Sequence, residues 1–347
     1  MILHSHEKAT PLCRGHSQRA STYIILCLLT LSACASFKIE RLFVEVVNAM
    51  RSVQRWQASA VLNRSPKGRA YGFDYSLNPY RGCSHACRYC YARESHTYLN
   101  LNVAEDFEQR LFVKDNLASR LQEELLKIPK TAVIALGTVT DPYQALEGHH
   151  HLTRAAIELL GQSGHAFTIT TKSPLIERDL DLLAPLAERR QLAVHVSLIS
   201  LDRSLLQRLE PGAPPPWRRL QTVRRLRDYG IPVGVFVAPI IPGLTDDLDT
   251  LNMLFSAIHE ARATWVMASG TRLAPAIHTY FIQQLEAFDE RAAYRLAQLY
   301  GESQMPNPAY TRSLNRVVAE LCRRHHLRRS APAIFAWDAA PQIHFAF

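Results

Sequence analysis

Residues 131–137 read Thr131-Ala132-Val133-Ile134-Ala135-Leu136-Gly137, a short apolar, β-rich run closed by a glycine. Such a run suits a strand buried on both faces of a parallel sheet. Moving outward, the same signature returns at 167–171, 192–199, 231–241 and 264–268, and a shorter version precedes it at 74–77. Helix-length segments at 114–127, 151–163, 176–190, 216–229 and 247–262 alternate with these runs. Gly230-Ile231-Pro232 marks one helix stop and the start of the next strand. Six βα units in succession predict an α/β fold with a parallel sheet and helices outside it, two units short of a closed eight-stranded barrel. Residues 270–347 are mixed and mostly helical, which predicts a C-terminal cap after a barrel domain over 50–269. Functional groups are expected at the C-terminal edges of the strands.

The bulk numbers set wide limits. A chain of 347 residues that is 47% apolar can fill one large core, and shows neither disordered nor collagen-like bias. Lys and Arg number 40 against 31 Asp and Glu, a net charge of +9 that is compatible with an anionic partner, nucleic acid included. Seven cysteines are an odd number, and three of them crowd one loop, unlike the even, spaced framework of a secreted disulfide scaffold.

That loop reads Asn78-Pro79-Tyr80-Arg81-Gly82-Cys83-Ser84-His85-Ala86-Cys87-Arg88-Tyr89-Cys90-Tyr91. Three thiolates so spaced can hold three corners of a cubane iron–sulfur cluster and leave the fourth iron open to a small molecule. A structural zinc site built from the same thiols and His85 is the other reading, and would make the chain a zinc-stabilised, basic, nucleic-acid-binding module.

The spacing Cys-x3-Cys-x2-Cys followed by an aromatic resembles the radical S-adenosylmethionine (radical SAM) enzymes. The resemblance implies a partial, open (β/α)6 TIM-like barrel with a helical cap and a 4Fe-4S cluster on Cys83, Cys87 and Cys90. S-adenosylmethionine on the open iron is cleaved by one electron to a 5′-deoxyadenosyl radical that acts on a substrate. A cytosolic donor of the flavodoxin or ferredoxin type supplies that electron. The loop, Thr140-Asp141, the run ending at Lys172, and VSLISLD followed by LEPGAP narrow the likeness to the spore photoproduct lyase-like branch, over roughly residues 70–250. It implies that Thr140, Lys172 and Ser197, with Asp141 beside them, contact S-adenosylmethionine. The pattern departs at Val139, where those lyases carry a hydrogen-donating cysteine. The substrate and any catalytic residue beyond the cofactor set stay unassigned.

Other features have plainer readings. Tyr143 and Asp202 lie near strand ends and are candidates for a substrate pocket. The Arg-rich helix from Trp217 to Arg227 reads as an outer helix with a solvated basic stripe, and Cys322 as a buried apolar filler. His149-His150-His151 opens a helix, where successive side chains diverge. The first fifty residues conflict with the rest. Residues 22–31, TYIILCLLTL, with Leu31-Ser32-Ala33-Cys34 behind them, have the shape of a secretory or lipoprotein signal. An exposed low-potential cluster calls instead for the cytoplasm. The expectation is therefore a cytoplasmic protein with no stable membrane association, in which 1–49 are a doubtful leader or an over-extended start. Apolar residues from Ile39 to Val53 recur at helical spacing and suggest a helix there.

Overall fold

In the computed structural model, the protein is described over residues 52–66, 72–301 and 303–331. The signal-like segment and most of the helix expected from Ile39 onward lie outside these residues. Its last member, Val53, lies instead in a strand.

Ten strands occur among the described residues: β1 (Ser52–Trp56), β2 (Leu62–Arg64), β3 (Tyr75–Leu77), β4 (Tyr80–Arg81), β5 (Arg110–Lys114), β6 (Val133–Leu136), β7 (Ala166–Thr171), β8 (Leu192–Ser197), β9 (Val233–Ile240) and β10 (Trp265–Gly270). The main sheet runs β10-β9-β8-β7-β6-β3-β2. Its first six strands are parallel neighbours, and β2 closes the edge antiparallel to β3. All six predicted βα strands are present. Helices Leu117–Leu125, Leu152–Ser163, Leu180–Glu188, Pro216–Asp228 and Leu248–Glu260 form the crossovers.

The strand sequences explain which face the helices cover. In register, Leu77, Leu136, Ile169, Val194 and Val233 form one aliphatic row, and Val196 with Val235 extends the pattern. These residues join Ile157, Leu160, Leu183, Val223, Leu254 and Ile258 of the helices in one core. The opposite face presents Ser76, Ala135, Thr168 and Ala193 in one row, and Thr170, His195, Gly234 and Trp265 in the next. One face thus seals the core by burying aliphatic area, while the other carries small and polar residues together with His195 and the buried Trp265. Helices Pro275–Glu286, Glu290–Tyr300 and Pro308–Arg324 make up the C-terminal region.

A second sheet, β1-β5-β4, was not expected from the sequence. β1 runs parallel to β5 and β4 antiparallel to it, so Lys114 ends a strand and the helix first placed over 114–127 begins at Leu117. Because β4 leads straight into Gly82 and Cys83, this small sheet holds the root of the cysteine loop.

Candidate active site

Parallel strands bring their C-terminal ends to one edge, and the segments following β3, β6, β7 and β8 meet there. Gly82 starts the cysteine loop at φ +78°, a left-handed conformation open to glycine. The Cys83 amide donates to the Phe107 carbonyl at 3.1 Å, and the loop then tightens through Ala86 N to Cys83 O and Cys90 N to Cys87 O.

Arg93 holds the loop from below. Fully buried, it donates from Nε to the Cys87 carbonyl at 2.8 Å, and from its two terminal nitrogens to Ala86, Val103 and Ala104 carbonyls and to Glu108. Gln144 holds it from the side. Its Nε2 donates to Gly82 O at 3.0 Å and Thr140 Oγ1 at 2.8 Å, while its Oε1 accepts from Ser84 N at 2.9 Å. Tyr91 donates its hydroxyl to the Thr138 carbonyl.

Cys83 and Cys87 are buried, Cys90 is half-buried, and all three are free thiols. Cys90 packs against both the cluster that contains Cys83 and the one that contains Cys87. Burial, and then the Asp141 carboxylate, push the Cys83 thiol up to about 12. Burial also raises Cys87, reinforced by Glu210 and opposed by Lys172. Buried thiols held neutral in this way give up their protons when a metal takes their place. Three thiols on one loop are the donor set of iron–sulfur ligation. Among the described residues no three His, Cys, Asp or Glu side chains converge to hold a single ion. A cubane takes one thiolate per iron, so its ligands have no need to share one point.

The residues singled out beforehand lie around this loop. Thr140 donates to the Gly82 carbonyl at 2.6 Å. Asp141 accepts from Tyr143 N and Thr171 Oγ1 on Oδ1, and from Lys172 N at 2.7 Å on Oδ2. His85 Nε2 lies 3.1 Å from the same Oδ2, with Nδ1 3.3 Å from the Gly212 carbonyl. Burial lowers His85 to about 4, and a neutral ring carries one N–H, enough for only one of these two acceptors. Lys172 is half-buried; burial opposes its charge, yet Glu210, and Cys87 once it is ionised, outweigh that and hold it above the ordinary lysine value. Ser197 ends β8, buried. Val139 packs against Cys83, Ala92 and Phe107.

Two candidates have structural work instead. The Tyr143 hydroxyl donates to Asp179 at 3.1 Å in the core. Asp202 caps helix Arg203–Leu209, accepting from Ser204 N and Leu205 N. The basic helix also differs from its solvated reading, because Arg219 is fully buried. It donates to Ser197 O at 3.1 Å and Pro214 O at 2.7 Å, and pairs with Glu210. Glu210 accepts as well from Tyr89 of the cysteine loop. Burial works against the Glu210 carboxylate, but Arg219 and Lys172 hold it below its ordinary value. Arg93, Gln144 and Arg219 escaped the sequence reading, since a lone arginine or glutamine carries no mark of burial in sequence.

The family model of the Radical SAM superfamily matches residues 77–254. Uncharacterized proteins of Mycobacterium tuberculosis and Mycobacterium bovis are 38% identical over 277 residues, covering 79% of this chain and 82% of theirs. An uncharacterized protein of Methanocaldococcus jannaschii is 30% identical over 175 residues, covering 50% of this chain and 63% of its own. Among solved structures, a spore photoproduct lyase variant with dinucleoside spore photoproduct superposes with TM-score 0.60 at 16% identity, covering 79% of each chain. A second variant of that lyase gives TM-score 0.62 at 15% identity, over 82% of this chain and 83% of its own.

Proposed function

Because this chain belongs to the radical SAM superfamily, we propose that Cys83, Cys87 and Cys90 hold a 4Fe-4S cluster whose open iron takes S-adenosylmethionine. When bound, these groups supply reductive cleavage of the sulfonium and a 5′-deoxyadenosyl radical that removes a hydrogen atom from the substrate. The observation that carries the reading is the rigid seating of three free thiols at the sheet edge, beside the Lys172 ammonium.

The chain's own residues then divide the work. Arg93, Gln144 and Thr140 fix the carbonyls of the cysteine loop. Lys172 offset the negative charge of ligated thiolates and meets the carboxylate or ribose oxygens of S-adenosylmethionine. Asp141 orients Lys172 through its backbone amide, and Ser197 offers a hydroxyl from the end of β8. Thr140, which donates to Gly82 and accepts from Gln144, joins Lys172 and Ser197 in contacting S-adenosylmethionine. The Arg219–Glu210–Tyr89 chain locks the β8 edge to the loop and excludes water from it.

Val139 has no S–H to give. This speaks against repair of a thymine dimer with a cysteine hydrogen donor at this position and favours another reaction for the radical. A flavodoxin- or ferredoxin-type donor in the cytoplasm fits the need for a low-potential electron. Residues 50–269 form the barrel domain in this reading, with the cap beyond. Among the described residues, no helix is long and apolar enough to cross a membrane.

Metal analysis of the full chain, purified and reconstituted without oxygen, tests the ligand set. About four iron and four sulfide per chain are expected, falling sharply in Cys87→Ala. Zinc without sulfide would overturn the reading in favour of a zinc-stabilised nucleic-acid-binding module.

A further inference from the structure

The small sheet has two unlike faces. Tyr80, Leu111 and Val113 point into the core and are buried. Pairing sets Trp56 opposite Lys114, Gln54 opposite Phe112 and Arg81 opposite Phe112, so Gln54, Trp56, Arg81, Phe112 and Lys114 share the other face. There the Arg81 guanidinium lies 4.6 Å from the Trp56 ring centroid and the Lys114 ammonium 6.0 Å from it.

Two cations share one indole, and Lys114 is only 6% exposed. Neither has a side-chain hydrogen bond or an ion pair among the described residues. The nearby carboxylates are engaged elsewhere. Asp115 faces Arg55 at 3.6 Å, and Glu124 accepts from the Val61 and Leu62 amides at 3.2 and 2.8 Å. Burial, and then Arg81, lower Lys114 to about 8, and the pull of Glu124 offsets only part of this. A buried charge without a partner is costly, and a like charge beside it adds to the cost. Cation–π contact with one ring recovers only part of this. An anion that accepts from both groups removes the conflict. The Arg fork takes two oxygens of a carboxylate or phosphate, and phosphate alone keeps another oxygen for the ammonium.

We propose that Arg81 and Lys114, braced by Trp56, form a binding site for a phosphate group carried by a nucleotide or a nucleic-acid strand. The site stands independently of the radical chemistry, although β4 carries Arg81 directly into the cysteine loop.

The test measures binding of inorganic phosphate, 5′-adenylate and a short single-stranded oligonucleotide to the full, reconstituted chain by calorimetry, with thermal melting alongside. Lys114→Met and Arg81→Gln should each weaken phosphate binding about tenfold, the loss of one charge-assisted hydrogen bond. Ligand-free Lys114→Met should melt above the wild type, because an uncompensated ammonium has been removed. Tighter binding of the oligonucleotide assigns the site to a phosphodiester backbone, and tighter binding of adenylate to a terminal phosphate. Should Lys114→Met fail to fold, Arg81→Gln alone decides. The proposal is overturned if none of the three compounds binds, or if affinity is unchanged in the variants that fold.

Discussion

At the scale of single residues, Asp202 separates a capping role from a substrate role. Its carboxylate accepts from Ser204 N, Ser204 Oγ and Leu205 N, and these hydrogen bonds lower its pKa. Asp202→Ala should cost about 1 kcal/mol, the usual worth of such a cap. The sign follows from a folded pKa below the unfolded one. The charge-dependent part of the cap is complete above about pH 4 and is lost as pH falls through the folded value. Melting curves of wild type and Asp202→Ala should therefore draw together as the pH falls through the lowered value, while Asp202→Asn keeps wild-type activity. A loss of activity in Asp202→Asn at pH 7 would return Asp202 to the substrate pocket. Residue identity alone could not make this distinction, because an aspartate after a strand reads the same whether it caps a helix or faces a ligand.

At the scale of elements, the segment after β8 lies directly on the cysteine loop. Gly212 N donates to His85 O at 3.1 Å, and a Cβ on Gly212 would stand 2.0 Å from Ser84 O. The contact is backbone to backbone, so no side chain can swing aside. Gly212→Ala should destabilise the fold by roughly 1–3 kcal/mol, the cost of overpacking, and should lower the iron bound per chain. Iron content and stability both at wild-type level would show that the two segments separate freely. The glycine of LEPGAP was visible in the sequence, but its partner, 128 positions earlier, was not. Local pattern also decided which elements were found. The strands from β6 to β10 are apolar runs of four to eight residues set between helix-length segments, and were read directly. β1 is mostly exposed and β5 is a five-residue strand next to a helix; Val53 and Lys114 fell within helical readings, and the rest of both strands was left unassigned.

At the scale of the whole molecule, one face of the sheet and its helices supply the core, while the strand ends supply the chemistry. The sixfold βα rhythm made the architecture legible, and the cysteine spacing pointed to the site. The buried Arg93, Gln144 and Arg219 that hold the loop in place were not legible, since their partners are mostly backbone carbonyls, which no side-chain pattern marks, and for Gln144 and Arg219 include groups distant in sequence. In the function proposed above, the cysteine loop generates a carbon radical from S-adenosylmethionine. The most direct measurement incubates the reconstituted full chain with dithionite and S-adenosylmethionine without oxygen, and assays 5′-deoxyadenosine by mass spectrometry. The account predicts that 5′-deoxyadenosine and methionine form with the wild type and not with Cys87→Ala. Equal formation in both proteins, or none from a wild type that carries a reduced cluster and binds S-adenosylmethionine, would contradict it.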